Sequence, residues 1–448
     1  MIARKAEKEI REWIANSKKA LLVTGARQVG KTFSIRRCLS ETNSDFIELN
    51  LIEQPSLVQA LESSYSVREL VINLSAVVTG INLQPGKSII FIDEIQEFKD
   101  IVTRIKFWVD DGSFRFILSG SLLGVELKGL RSAPVGYLHE VKMYPLDFEE
   151  FLQASGVNEV SLQYLEECFE KREAIKEPVH QAILKHFRRY LVVGGMPEVV
   201  NTYVETGDIS KVSEIQRDIL NIYQLDFTKY ELADRRLMLI SVFQQIPAQL
   251  LRQNRRFHFS DVQKKMRFER ISSSFLWLVN AGVAIPSYNA TAPRVPLTQN
   301  EDSSLFKLYS SDVGLLSYQY GSAFRQKVLL EDELVNLGGI FENYVAQELT
   351  AQDFSLFFYL QTKSAELDFL INCQDHVLPI EVKSGKEYMK HASLDKVMNN
   401  EQNELSEAIV FSMNNLHQEG KILYCPIYLC GCLKEKISFP KLEIPMAP

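Results

Sequence analysis

The stretch Leu22-Val23-Thr24-Gly25-Ala26-Arg27-Gln28-Val29-Gly30-Lys31-Thr32 runs from a short apolar segment through two glycines into a Gly-Lys-Thr triplet. The apolar residues predict a buried parallel strand over Ala20 to Thr24, and Lys31 to Leu39 suit a helix that starts at the loop. Gly25 and Gly30 let the backbone curl so that successive N–H groups face one anion at the helix N-terminus. The pattern predicts a triphosphate-binding loop with Gly25, Ala26, Arg27, Gln28, Val29, Gly30, Lys31, Thr32 and Phe33 as contacts. Lys31 supplies a point charge for the β- and γ-phosphates, and Thr32 a hydroxyl ligand for Mg2+.

Such a loop needs a second parallel strand that ends in acid, and Ser88-Ile89-Ile90-Phe91-Ile92-Asp93-Glu94 supplies one about sixty residues further on. Asp93 is expected to hold the Mg2+ shell and Glu94 to polarise the attacking water as general base. The alternative is an acidic turn after a core strand. A third apolar run, Phe114 to Leu118, leads into Ser119-Gly120-Ser121. Ser119 is placed either to touch the γ-phosphate or simply to end the strand as a small polar turn residue.

The chain has 448 residues, which at about 150 per domain predicts roughly three units. With 46% hydrophobic and 24% charged residues it reads as globular, and no apolar run approaches the ~18 residues of a membrane span. The charged N-terminus, Arg4 to Arg11 around Ile10 and Trp13, does not read as a signal peptide, so a cytoplasmic location is expected. Six scattered cysteines are expected as reduced thiols. Cys425, Cys430 and Cys432 have no obvious fourth ligand for zinc besides His417. A net charge of −7 argues against non-specific coating of nucleic acid but leaves room for a local basic face.

Gly25 to Thr32, Phe91 to Gln96, Ser119 to Gly124 and the block Tyr144-Pro145-Leu146-Asp147-Phe148-Glu149-Glu150-Phe151, taken in order, resemble the bacterial and archaeal AAA-type ATPases that carry a C-terminal domain of unknown function. The resemblance continues through Tyr190 to Val200, Asp312 to Leu316 and Gly339 to Lys383. It implies ATP and Mg2+ as ligands, a helical lid over the nucleotide and the capacity to form oligomers. Pro134-Val135-Gly136 is followed by Tyr137 where such proteins often carry a basic residue, which leaves Arg115 and Arg131 as candidate arginine fingers.

In the middle of the chain, Leu162 to Tyr190 alternate at helical spacing until Gly194-Gly195-Met196-Pro197 breaks the pattern, either as a hinge with backbone freedom or as an interhelical turn. Helical segments Leu237 to Leu250, Phe259 to Met266 and Ile271 to Ala281, then strands Val283 to Tyr288 and Phe306 to Tyr309, follow winged-helix order. Ser260 is a cap for the second helix, and Ser272-Ser273-Ser274 fall where a recognition helix meets DNA. Residues 251–270 hold seven basic side chains against Asp261 and Glu269, which favours DNA; docking of a protein partner is the competing reading.

Towards the C-terminus, Gly338 to Val345 opens an amphipathic helix, and strands carry Glu366-Leu367-Asp368 and Leu378-Pro379-Ile380-Glu381-Val382-Lys383. Glu381 and Lys383 are two apart on one strand and point to the same side, where with Asp368 they can meet one metal ion. This resembles the PD-(D/E)xK nuclease fold, which implies Asp368, Glu381 and the helix-borne Glu342 as metal ligands and Lys383 as the catalytic cation. Glu366 is a less favoured substitute ligand, and a solvent-facing Glu-Val-Lys alternation is the competing reading.

The expected architecture is α/β: an AAA-type P-loop parallel sheet over 1–152, a helical lid over 153–230, a winged helix over 231–325 and a nuclease-like α/β domain over 326–448. The expected function is that of a Mg2+-dependent ATPase whose nucleotide state controls an output module acting on DNA. An ATP-gated metal-dependent nuclease and a nucleotide-switched protein scaffold are the rivals.

Overall fold

The apolar runs that flank the phosphate loop form one parallel sheet. Its strands are β1 (Ala20–Thr24), β2 (Phe46–Asn50), β3 (Ile89–Asp93), β4 (Arg115–Ser119) and β5 (Leu138–Lys142). Their order is β2-β3-β4-β1-β5, and every pairing is parallel. Successive residues alternate between the two faces. Leu21, Val23 and Phe91 join a core with Ile10, Trp13 and the loop's helix Lys31–Glu41, while Leu22, Ile90 and Ile92 join a separate core with Leu61, Leu70 and Trp108. Helices on both faces bury β1, β3 and β4 almost completely, which explains their near-continuous hydrophobicity, whereas β2 and β5 at the sheet's edges are only partly covered. The computed structural model describes residues 2–434 apart from 99, 122–135, 231–232, 253–254, 259–267, 333–334, 362–364 and 374–375.

A second, mixed sheet holds β6 (Ala284–Ala290), β7 (Glu301–Ser310), β8 (Phe357–Gln361), β9 (Ala365–Cys373), β10 (His376–Val382), β11 (Ala408–Ser412), β12 (His417–Glu419) and β13 (Ile422–Pro426). The order is β12-β13-β11-β10-β9-β8-β6-β7. The hairpin β6–β7, read from sequence as a wing, continues this sheet through the parallel pairing of Tyr288 to Ala290 with Phe357 to Tyr359. Helices Ala233–Leu250 and Phe268–Asn280 precede it, whereas the segment Phe259 to Met266, with Ser260, lies outside the described residues. No helix among the described residues is long and apolar enough to cross a membrane. All six cysteines are free, and no zinc-type cluster is present among the described residues.

Helix Gly338–Ala351 departs from expectation. It is not amphipathic: residues 338–349 are all buried. The helix lies between the two sheets' modules, so its polar residues must find partners on several sides at once. Glu348 accepts from Phe148 N at 2.9 Å, Gln347 accepts from Val313 N at 2.8 Å and donates to Tyr190 Oη at 2.7 Å, and Asn343 accepts from Ser310 N at 2.7 Å. Phe148, Phe187, Tyr190 and Tyr344 pack edge to face around it.

The Gly194-Gly195 pair closes this junction, and close approach is what requires glycine there. A Cβ on Gly195 would stand 2.0 Å from Leu146 O. Leu146 N donates to Gly195 O at 2.7 Å, and Gly195 N donates to Asp312 Oδ2 at 2.6 Å. Asp312 also caps helix Val313–Gln319 by accepting from Leu315 N at 2.8 Å. Burial raises its carboxyl from 3.8 to about 6 against three backbone donors that pull the other way. The Tyr-Pro-Leu block, the glycine pair, Asp312 and helix Gly338–Ala351, separate in sequence, meet at one point.

Candidate nucleotide site and C-terminal acidic cluster

The phosphate loop leaves β1 at Thr24. Gly25 has φ +141, and a side chain there would stand 2.1 Å from Met143 O, so the turn admits only glycine. Helix Lys31–Glu41 begins at Gly30 with its N-terminus at the loop. Lys31 folds back over the turn, donating to Gly25 O at 3.0 Å and Ala26 O at 2.8 Å. Burial lowers its pKa from 10.5 to about 8, opposed by Glu94 and Asp93.

Parallel pairing brings the acid strand beside the loop. Thr32 Oγ1 donates to Asp93 Oδ2 at 2.9 Å, and the Ser119 hydroxyl bonds the other Asp93 oxygen. Strand β4 lies between β1 and β3, and that placement is what puts Ser119 within reach. Glu94 follows with φ 58, a left-handed backbone that an L side chain rarely takes and that active sites often hold. Gln96 donates to Glu94 Oε2 at 2.5 Å and fixes the carboxylate. Gln96 was inside the recognised motif, but its part as the partner of Glu94 was not legible there. Phe33 stands 53% exposed beside the loop.

Three further contacts hold the loop from outside, and none has a signature in sequence. Arg4 donates to Val29 O at 2.8 Å and to Tyr144 O at 2.6 Å while pairing with Glu150. Arg27 pairs with Asp226 at 2.5 Å, and Tyr223 Oη donates to Arg27 O at 3.2 Å, both partners lying on helix Ile209–Tyr230. Of the candidate fingers, Arg131 lies outside the described residues. Arg115 sits at the start of β4, the end away from Ser119, and gives its guanidinium to Ile14 O at 2.5 Å. It is engaged within its own subunit.

The C-terminal residues also converge. Lys383 pairs with Glu381 Oε1 at 2.7 Å, and Asp368 Oδ2 accepts from Val382 N at 2.8 Å. Burial first, then Asp368, raises Glu381 from 4.5 to about 7 against Lys383 and Lys307. Glu342 is fully buried; it bonds Arg255 and accepts from Tyr309 Oη at 3.2 Å. Lys307, on β7, is 1% exposed and stands 3.7 Å from Glu342 Oε2, 3.6 Å from Glu366 Oε1 and 3.9 Å from Asp368 Oδ1. Sequence reasoning named Glu342, Asp368, Glu381 and Lys383, with Glu366 as the less favoured ligand, and missed the two cations that approach from residues 255 and 307. Among the described residues no group of three or more carboxylate, histidine or cysteine side chains is placed to hold a metal ion. In this arrangement Glu342, Asp368 and Glu381 are set against Arg255, Lys307 and Lys383 respectively.

The parallel sheet, the glycine loop and the acid strand form an α/β nucleotide-binding arrangement of the P-loop kind. Residues 17–152 match the family described as an AAA domain. Residues 184–325 match a domain of unknown function, DUF8612, and residues 337–429 a second domain of unknown function, DUF4143. The chain is similar to uncharacterized protein MJ1544 of Methanocaldococcus jannaschii, at 23% identity over 372 residues that span 79% of this chain and 72% of the relative. Among solved structures it is similar to the Walker-type ATPase PABY2304 of Pyrococcus abyssi, at 15% identity and a TM-score of 0.44 over 71% of this chain and 96% of that one. A structure of katanin, described for its self-assembly, aligns at 20% identity and a TM-score of 0.23 over 36% of this chain and 57% of the other.

Proposed function

We propose that this chain is a Mg2+-dependent ATP hydrolase whose nucleotide state is passed to its C-terminal sheet. The observation that carries the reading is the hydrogen-bonded set of Thr32, Asp93 and Ser119, with Lys31 and Glu94 adjoining it. A hydroxyl and a carboxylate oxygen 2.9 Å apart are hard donors of the kind Mg2+ takes, so Thr32 and Asp93 fit the ion. When bound, Mg2+ supplies neutralising charge at the β- and γ-phosphates.

The chain's own groups do the rest. Backbone N–H groups from Gly25 to Thr32 take phosphate oxygens, and Lys31 exchanges two carbonyl partners for the triphosphate. Glu94, aimed by Gln96, accepts the proton of the attacking water as the new P–O bond forms and ADP leaves. Phe33 offers an exposed aromatic face to the base. Glu94→Gln should bind ATP with unchanged affinity by calorimetry and turn over at least about 100-fold more slowly. Wild-type turnover in that variant rejects the assignment of the base, and no heat of ATP binding in the Mg2+-supplied wild type rejects the function.

The output reading rests on the basic residues of segment 251–270 other than Arg255, which is paired with the buried Glu342, and takes DNA as the partner to test first. Duplex DNA should then raise ATP turnover, with the stimulation falling as salt rises. A rate indifferent to DNA moves the output to a protein partner.

A further inference from the structure

We propose that Lys307 is the resident cation of the C-terminal acidic cluster, so that this module holds no divalent metal and its acids serve as an ion lock for the β6–β7 hairpin. The inference is independent of the nucleotide site. Lys307 lies on β7, outside the nuclease-like set, and its ammonium is almost wholly removed from water. A buried ammonium is costly unless carboxylates surround it. Three do, from two different elements: Glu342 on helix Gly338–Ala351, and Glu366 and Asp368 on β9. Their separations, 3.6 to 3.9 Å, are nearly equal, so the ammonium sits at the centre of a cage rather than against one acid. The face of Phe358, 5.2 Å away, closes another side.

A divalent ion at that point would have to displace Lys307 from the same three carboxylates, because like charges at such range repel strongly where water is scarce. The remaining donors are committed as well. Arg255 and Tyr309 take Glu342, Val382 N takes the second oxygen of Asp368, and Lys383 takes one oxygen of Glu381. Glu381 Oε2 is the one carboxylate oxygen of this cluster found buried without a partner. One such oxygen does not make a site for a hard cation that demands about six. Tyr309, two residues along β7 from Lys307, points the same way and bonds the same Glu342, so both side chains fasten the hairpin to the central helix.

The test uses the full chain without nucleotide and Mn2+ as the probe, followed by electron paramagnetic resonance, in the Asp93→Asn background to remove the carboxylate assigned to the phosphate-loop ion. The Lys307-bearing protein should bind no stoichiometric Mn2+. Lys307→Met should gain one ion per chain, lose it again with Asp368→Asn, and show a melting temperature that rises with Mn2+ while that of the Lys307-bearing protein does not. Stoichiometric Mn2+ in the Lys307-bearing protein that vanishes with Asp368→Asn overturns the proposal, as does a folded Lys307→Met that gains none. Should that variant fail to fold, incubation of the natural protein with linear, circular and single-stranded DNA in Mg2+ or Mn2+ decides: intact DNA supports the lock, and cleavage abolished by Asp368→Ala sinks it.

Discussion

Two places in this molecule set lysines beside carboxylates at the ends of β-strands, and they settle their charges in opposite ways. At the phosphate loop, Lys31 is partnered by two carbonyls and Asp93 by two hydroxyls, so cation and anion are each held by neutral groups. In the C-terminal cluster, Lys307, Lys383 and Arg255 are set directly against Glu342, Glu366, Asp368 and Glu381. A neutral hydrogen-bond partner is exchanged for a charged ligand at small cost, whereas opening a buried ion pair costs about 3–5 kcal/mol. The first arrangement is suited to receive a metal–triphosphate unit, and the second to stay closed. A single lysine from β7, separated from β9 by two strands in the sheet order, thus reaches the same acids that the nuclease-like pattern marks.

The contrast breaks most visibly at the lysines. Lys31→Ala should weaken ATP binding at least about 100-fold, since a charge-assisted contact to phosphate and a buried cation are lost together. Lys383→Ala should leave ATP affinity within twofold. Calorimetry on both variants checks the pair, and an equal loss in the two would erase the distinction between a receptive and a closed site.

The next largest effect is expected at the junction between the sites. Gly195→Ala places a methyl group 2.0 Å from Leu146 O, where backbone must move to relieve it. Destabilisation of about 3 kcal/mol in urea unfolding is expected, from forced backbone displacement in a packed core. Unchanged stability would mean that the phosphate-loop module and helix Gly338–Ala351 are not joined rigidly through this turn.

The three central strands of the parallel sheet were legible because each is a short apolar run closed by turn residues, and β1 has the predicted bounds; the edge strands β2 and β5 carry charged residues and were not read from sequence. The meeting of Thr32 with Asp93 was legible too, because loop and acid strand are adjacent-in-kind motifs with a known separation. What stayed hidden depends on contacts far apart in sequence. Arg255 reaches Glu342 across 87 residues and Arg4 reaches Glu150 across 146, and no local pattern marks either pairing. Gly194-Gly195 was open to a hinge reading because glycine permits freedom and close approach alike, and only the neighbouring Leu146 carbonyl decides between them. Helix Gly338–Ala351 reads as amphipathic since its polar residues are real, yet those residues face other modules rather than water.

Asp312 sharpens the comparison through pH. Burial raises its folded pKa above the unfolded value of 3.8 to about 6, so the unfolded chain releases this proton first. Its contribution to stability is complete below about 4, declines as pH climbs towards 6 and is absent above, with a slope of at most ~1.4 kcal/mol per pH unit. Asp312→Asn should flatten that segment of the stability curve. It should also cost about 1–2 kcal/mol at neutral pH, because an amide offers one oxygen where Gly195 N and Leu315 N need two. Urea midpoints for both proteins between pH 4 and 7 test the sign.

The smallest effect on stability separates holding the loop from folding the chain. The Arg27 side chain is 42% exposed, so its ion pair with Asp226 is screened by water and Arg27→Ala should shift stability by less than about 1 kcal/mol. The same pair nonetheless fastens the phosphate loop to helix Ile209–Tyr230, next to the carbonyl that Tyr223 holds. Releasing it should change the rate of ATP turnover several-fold while leaving the melting temperature nearly fixed. Asp226→Asn, which weakens the pair from the other side, should move the rate in the same direction. If both variants keep the wild-type rate, the helix merely lies against the loop, and the route by which the nucleotide site addresses the closed C-terminal cluster must run through Arg4 and Glu150 instead.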